Sequence, residues 1–139
     1  MGFKVKVITQ GRCKESWLNE ALADYEKRLQ GKMEIDWVLV NTPKELEEKA
    51  MKETFLIALD LKGKTLTSEG LSQKLFMEWG TRPSFVIGGP EGLPSEVQKK
   101  ASFSLCLSSL TFTHQIVRLI LVEQLYRALE IEKGSSYHK

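Results

Sequence analysis

The stretch Phe55-Leu56-Ile57-Ala58-Leu59-Asp60 decides the fold. It is apolar without interruption until it closes on a carboxylate. A strand with one wet face alternates polar and apolar residues, whereas an unbroken apolar run belongs to a strand covered on both faces, as in a parallel sheet between helices. Ser84-Phe85-Val86-Ile87 has the same character and runs directly into Gly88-Gly89-Pro90-Glu91-Gly92-Leu93. Outward from these, Phe3 to Thr9 sets Val5 and Val7 against Lys4 and Lys6 and reads as a strand. Ile35 to Val40 and Phe103 to Leu107 supply two more. Between the strands lie helical patterns. From Glu15, the residues Trp17, Leu18, Ala21, Leu22, Tyr25 and Leu29 recur at helical spacing, and Gly31 closes them. Pro43 opens a charged helix from Lys44 to Lys52 with a thin stripe of Leu46, Ala50 and Met51. A turn at Lys62-Gly63-Lys64 precedes a helix from Ser68 to Trp79. Pro94 and Ser95 start a short helix to about Ala101, and a long helix runs from His114 to Ile131 after a loop from Ser108 to Thr113. Strands alternating with helices predict an α/β fold: one domain over residues 1–139, with a mostly parallel sheet and helices on both faces. There is no internal repeat and no linker.

Composition bounds the partners. A chain of 139 residues with 42% hydrophobic and 27% charged residues has the balance of an ordinary globular protein. The net charge, 20 minus 18 or +2, lacks the basic excess of a general phosphate binder. Any nucleic-acid recognition must come from local patches and shape. Cys13 and Cys106, with His114 and His138, give no metal-ligand spacing, so no metal is expected. Arg118, Glu123, Gln124 and Arg127 interrupt the longest apolar stretch, which rules out a membrane span there. The N-terminal run carries charges inside it and reads as a strand, not a signal peptide, so the expected location is the cytoplasm.

Ligands of open α/β sheets bind beyond the carboxyl ends of strands. Three segments end strands in this way: Leu59-Asp60, the Gly88 to Gly92 loop, and Leu107 to Phe112. The glycine loop matches neither a dinucleotide fingerprint nor a phosphate loop. It is either a tight turn or a place where a flat ligand presses against bare backbone. The long helix is apolar around nearly its whole circumference, which predicts burial on every side, with a second copy of the chain covering one of them. A central helix in a monomer is the alternative. Its few polar residues pair at i,i+4: His114 with Arg118, and Glu123 with Arg127, the latter as an ion pair. His114 is a capping or core histidine on its own evidence. The tail from Lys133 to Lys139 is flexible by composition. Within it, Tyr137-His138 sets a stacking ring, a hydroxyl and a titratable base side by side, a set suited to an extruded base and its proton.

Taken together these residues resemble the ribosomal RNA large subunit methyltransferase H family, a minimal branch of the SPOUT methyltransferases. The resemblance rests on Leu59-Asp60-Leu61-Lys62-Gly63-Lys64 with Ser68, on Val86 to Leu93, on Leu107 to His114 with Arg118, on Glu123 to Ala128, and on Tyr137-His138-Lys139. It covers the chain in order. Thr113 and Ser136 stand where the family commonly has prolines, which loosens the backbone there. The region from Asn41 to Glu53 is shorter than in many relatives.

The resemblance implies a C-terminal trefoil knot, an exception to unknotted connectivity. It implies S-adenosylmethionine as cofactor, bound by Leu59, Gly88, Leu107, Ser108, Ser109, Leu110, Thr111 and Phe112. It implies a homodimer that methylates N3 of a pseudouridine in the large-subunit stem-loop facing the decoding centre of the assembled ribosome. His138 is then the candidate base, Tyr137 the stacking or hydrogen-bonding group, and Arg118 the stabiliser of charge on the ring. A tail that reaches across the dimer interface allows the site to combine the cleft of one subunit with the tail of the other, or each subunit to complete its own. Phosphate contacts are expected from Lys4, Lys6, Arg12, Lys14, Lys133 and Lys139. The rival readings are a ribose 2′-O or transfer-RNA methyltransferase of the same superfamily, and a non-catalytic ribosome-binding protein.

Overall fold

The computed structural model describes residues 2–138; Met1 and Lys139 lie outside the described residues, and with Lys139 one of the expected phosphate contacts. The elements in chain order are β1 (Phe3–Gln10), α1 (Ser16–Leu29), β2 (Met33–Val40), α2 (Pro43–Ala50), β3 (Leu56–Thr65), α3 (Ser68–Met77), β4 (Ser84–Ile87), α4 (Ser95–Lys100), β5 (Phe103–Cys106) and α5 (His114–Lys133). The five strands form one sheet in the order β2-β1-β4-β3-β5. Every pairing is parallel.

The alternation of side chains across the pleat sorts the core into two layers. Val5, Val7, Ile57, Phe85 and Ile87 face one side, where they meet Leu18 and Leu22 of α1, Leu71 and Leu75 of α3, and Leu121 and Leu125 of α5. Ile8, Leu56, Ala58 and Val86 face the other, against Leu46 and Ala50 of α2 and Val97 of α4. All four residues of β4 are buried, as the apolar pattern requires. Threonines start three helices. The hydroxyls of Thr42, Thr67 and Thr113 accept from the amides of Glu45, Gly70 and Ile116, each satisfying a donor that the first turn leaves free.

The structure corrects the sequence reading in two places. The expected turn at Lys62-Gly63-Lys64 lies inside a longer strand. β3 pairs with β5 at Leu59↔Leu105, then again at Lys64↔Leu105 and Thr65↔Cys106, so residues 60–63 loop out between two pairings. Gly63 permits this, because a Cβ there would sit 2.5 Å from the Ser104 carbonyl oxygen. Secondly, Trp79 lies beyond the end of α3, buried against Phe103 at 5.4 Å and Phe85 at 6.1 Å between ring centroids. Within one chain, α5 leaves one side uncovered. Ile116 and Ile120 are half-exposed and, among the described residues, pack on neither core layer.

Candidate active site

The parallel sheet brings the three strand exits together. A cleft of about 830 Å³ opens there, between the Asp60–Lys62 bulge, the glycine loop after β4 and the segment after β5. Leu59, Gly88, Leu107, Ser108, Leu110, Thr111 and Phe112 line it; Ser109, expected with them, does not. Its walls are mainly apolar side chains, among them Leu61, Ile87, Leu105 and Val117. The sequence reading missed Leu61, Leu93 and Gln98. Leu61 had a signal in retrospect, as an apolar residue between Asp60 and Lys62, and it is 57% exposed on the bulge.

The glycine loop is a tight turn that also borders the cleft. Gly92 donates to the carbonyl of Gly89 at 2.9 Å and adopts a φ of +84°, so the loop is a tight turn. A Cβ on Gly88 would stand 2.6 Å from the carbonyl carbon of Gly92, and one on Gly89 would stand 2.7 Å from Oε1 of Gln10. Gly88, Gly89 and Gly92 also line the cleft, and having no side chains they present backbone to it. Beyond β5, the Ser108 hydroxyl accepts from the Leu110 amide at 3.0 Å and the Ser108 carbonyl accepts from the Cys106 thiol at 3.1 Å, which shapes the opposite wall.

His114, the first residue of α5, lines the cleft. Burial, then the Arg118 guanidinium, lowers its pKa and favours the neutral imidazole. Arg118 itself does not line the cleft. It is 1% exposed, and its Nη2 donates to the carbonyls of Gln10 at 2.9 Å and Gly11 at 2.8 Å, where the chain leaves β1. Its Nε has no partner among the described residues.

The tail is not frayed. Gly134, at φ +74°, caps α5 and turns the chain back along it. Ser135 donates to Glu130 at 2.8 Å. The Tyr137 hydroxyl donates to Glu123 at 2.9 Å, its ring stands edge-on to Tyr126 at 4.8 Å, and the Arg127 guanidinium covers its face at 4.9 Å. Burial, with the neighbouring Tyr25 hydroxyl and Glu123, raises the Tyr137 pKa, so the phenol keeps its proton. Glu123 and Arg127 form the expected pair at 2.7 Å. His138 reaches Arg127 through Nδ1 at 3.1 Å and Glu69 of α3 through Nε2 at 2.9 Å. The fold thus divides the candidate residues into a cleft set and a tail set, and Tyr137 and His138 do not line the cleft of their own chain. Among the expected phosphate contacts, Lys6 is paired with Glu53 at 2.9 Å and Lys133 with Glu130 at 3.2 Å. Lys4 lies at the start of β1, away from the strand exits, while Arg12 and Lys14 are exposed just beyond its end. No cluster of potential metal ligands occurs among the described residues.

A family model described as "Predicted SPOUT methyltransferase" matches residues 3–138. The ribosomal RNA large subunit methyltransferase H of Protochlamydia amoebophila (strain UWE25) is 45% identical over 139 residues, covering 98% of this chain and 99% of that protein. Among solved structures, a probable methylase family protein from Haemophilus influenzae Rd KW20 superposes with a TM-score of 0.60 at 11% identity, over 98% of this chain and 70% of its own. The SpoU methyltransferase AviRb from Streptomyces viridochromogenes, solved in complex with AdoMet, superposes with a TM-score of 0.53 at 12% identity, over 97% of this chain and 60% of its own. The structural likenesses speak for the fold, and the sequence matches narrow it further: the chain belongs to the SPOUT methyltransferases and, within them, to the ribosomal RNA large subunit methyltransferase H family.

Proposed function

We propose that the chain methylates N3 of a pseudouridine in large-subunit ribosomal RNA, in the stem-loop that meets the small subunit. It does so on the assembled ribosome, as a homodimer, with S-adenosylmethionine as methyl donor. The observation that carries this reading is the division of the site between a cleft at the start of α5 and a basic, aromatic tail folded on its far end. Ile116, Ile120, Glu123 and Arg127 follow one another at helical spacing, so the unpacked apolar stripe continues into the face that carries the tail. A two-fold axis across that stripe, with the helices antiparallel, sets the tail of one chain against the cleft of the other.

The cleft fits the cofactor. Its volume lies within the range of about 300–1,000 Å³ typical of small-molecule sites. Leu59, Ile87, Leu105 and Leu107 offer apolar walls for an adenine, and Gly88, Gly89 and Gly92 present backbone to the cleft without side chains. Bound there, the cofactor supplies an electrophilic methyl group on a sulfonium, transferred by in-line displacement. The remaining tasks fall to the protein. Positioning is the larger one, since two reactants must be held in line. The other is removal of the N3 proton, assigned to His138. Tyr137, kept protonated, can stack on the uracil ring or donate to a carbonyl. Arg118 acts by holding the exit of β1, where Arg12 and Lys14 are free to meet phosphates. The trefoil knot is part of the same proposal: the segment after β5 packs beside the glycine loop before α5 returns across the sheet.

Deletion of residues 137–139 tests this. The truncated chain should bind S-adenosylmethionine by calorimetric titration as the full chain does, and should not methylate whole ribosomes. Normal turnover by the truncated chain removes the tail from the mechanism. Mass-spectrometric mapping of the methylated nucleotide separates N3 of pseudouridine from a ribose 2′-O or transfer-RNA target.

A further inference from the structure

Both ring nitrogens of His138 are engaged, and each partner is chemically one-sided. Arg127 Nη1 lies 3.1 Å from Nδ1, and a guanidinium only donates. Nδ1 therefore meets it with a lone pair. Glu69 Oε2 lies 2.9 Å from Nε2, and an ionised carboxylate only accepts. The hydrogen of the neutral imidazole therefore sits on Nε2. The Glu69 carboxylate is held below the usual carboxylate range, first by its own backbone amide and then by His138.

Glu69 is fixed relative to the tail. It lies in the first turn of α3, which the Thr67 hydroxyl caps. Helix α3 is tied to α5 by the Ser68 hydroxyl on Gln124 at 2.8 Å and the buried Ser72 hydroxyl on the Ala128 carbonyl at 2.7 Å. On the opposite side of the ring, Glu123 holds Arg127 through Nε at 3.1 Å and Nη2 at 2.7 Å. The charged and titratable groups facing the imidazole are thus Glu69 from α3 and Arg127, with Glu123 behind it, from α5; Tyr137 precedes it in the tail.

We propose that Glu69 is a positioning residue for the methyl transfer: it locks His138 in the Nε2–H tautomer, so that Nδ1 is the atom that takes the N3 proton, and Arg127 covers that lone pair until the base displaces it. This rests on the tail acting as read above. In the step, the N3–H bond breaks with its electron pair left on N3, the proton moves to Nδ1, and the new imidazolium charge faces the Glu69 carboxylate. The pair on N3 forms the bond to the methyl carbon as the carbon–sulfur bond breaks toward sulfur. A carboxylate that orients a histidine and balances its transient charge is the logic of the serine-protease triad, here with the two nitrogens exchanged.

The test combines a spectrum with kinetics on the full-length chain. Nitrogen-15 NMR of the two histidines, assigned with a His114→Gln variant, should give His138 a hydrogen-bearing Nε2 and a bare Nδ1. Glu69→Ala should lose that preference and lower kcat on ribosomes at least about tenfold, with KM for the cofactor unchanged. Glu69→Gln retains an acceptor oxygen and should recover the tautomer with part of the rate. A hydrogen on Nδ1 in the unsubstituted protein overturns the proposal. So does a Glu69→Ala chain with full turnover beside an inactive His138→Ala chain, which leaves the tail reading intact. Full turnover by His138→Ala overturns both.

Discussion

Two residues at the head of α5 show what burial does to a charge. Arg118 is enclosed almost completely and donates through Nη2 to two backbone carbonyls where β1 ends. Replacing it with methionine keeps most of the volume and strands both acceptors. Both carbonyls belong to half-buried residues, so stranding each costs only part of the about 1–3 kcal/mol of a fully buried orphan; Arg118→Met should lower stability in urea unfolding, and the loss of methylation should follow the loss of the loop after β1. His114 makes the opposite statement. Its folded pKa is depressed by burial and by Arg118, so as pH falls below about 6.5 the unfolded chain takes up a proton that the folded chain resists. This contribution to stability is present above that pH and is lost below it. His114→Gln should therefore flatten the fall in urea midpoint on the acid side of neutrality; an unchanged slope would show that His114 does not titrate against folding.

The glycine turn after β4 is the element on which the cleft depends. Gly88→Ala puts a methyl within contact distance of the Gly92 backbone, where nothing flexible can yield. Overpacking of this kind costs about 1–3 kcal/mol, and the displaced turn should weaken binding of S-adenosylmethionine in a calorimetric titration more than it lowers the melting temperature. Much at this scale was legible in the sequence. The unbroken apolar runs of β3 and β4 announce two covered faces, and helical spacing with proline starts at Pro43 and Pro94 places α1 to α5 within a few residues. The bulge was not legible, because Lys62-Gly63-Lys64 carries the composition of a turn. What makes it a bulge is the backbone of Ser104, brought alongside by a distant strand. The tail was misread for a similar reason. Its residues are polar and small until Tyr137, and the acceptors that order it, Glu123, Glu130 and Glu69, lie on two helices that only the fold brings near. Seven of the eight residues expected at the cleft line it, since ligands of an open parallel sheet sit beyond the carboxyl ends of its strands. Glu69 offered no such signal.

At the scale of the whole molecule, the proposed dimer, with cleft and tail of one site on different chains, predicts complementation between subunits. A chain lacking residues 137–139 and a chain with Gly88→Arg should each be inactive. Mixed and re-paired at random, they should recover about a quarter of the normal activity, because half of the dimers are mixed and each has one intact site. No recovery after verified exchange would place cleft and tail of a working site on the same chain. The looped segment of β3 has a consequence for how such a protein changes over generations. Residues 60–63 form a lip gripped by β5 before and after it, at Leu59 and at Lys64. The lip is a bracket with two rivets, braced from within where the Asp60 carboxylate accepts from the Lys62 amide at 3.0 Å, and Leu61 stands exposed at its tip. Diversity at Leu61 would retune what enters the mouth while leaving the pairings on either side untouched.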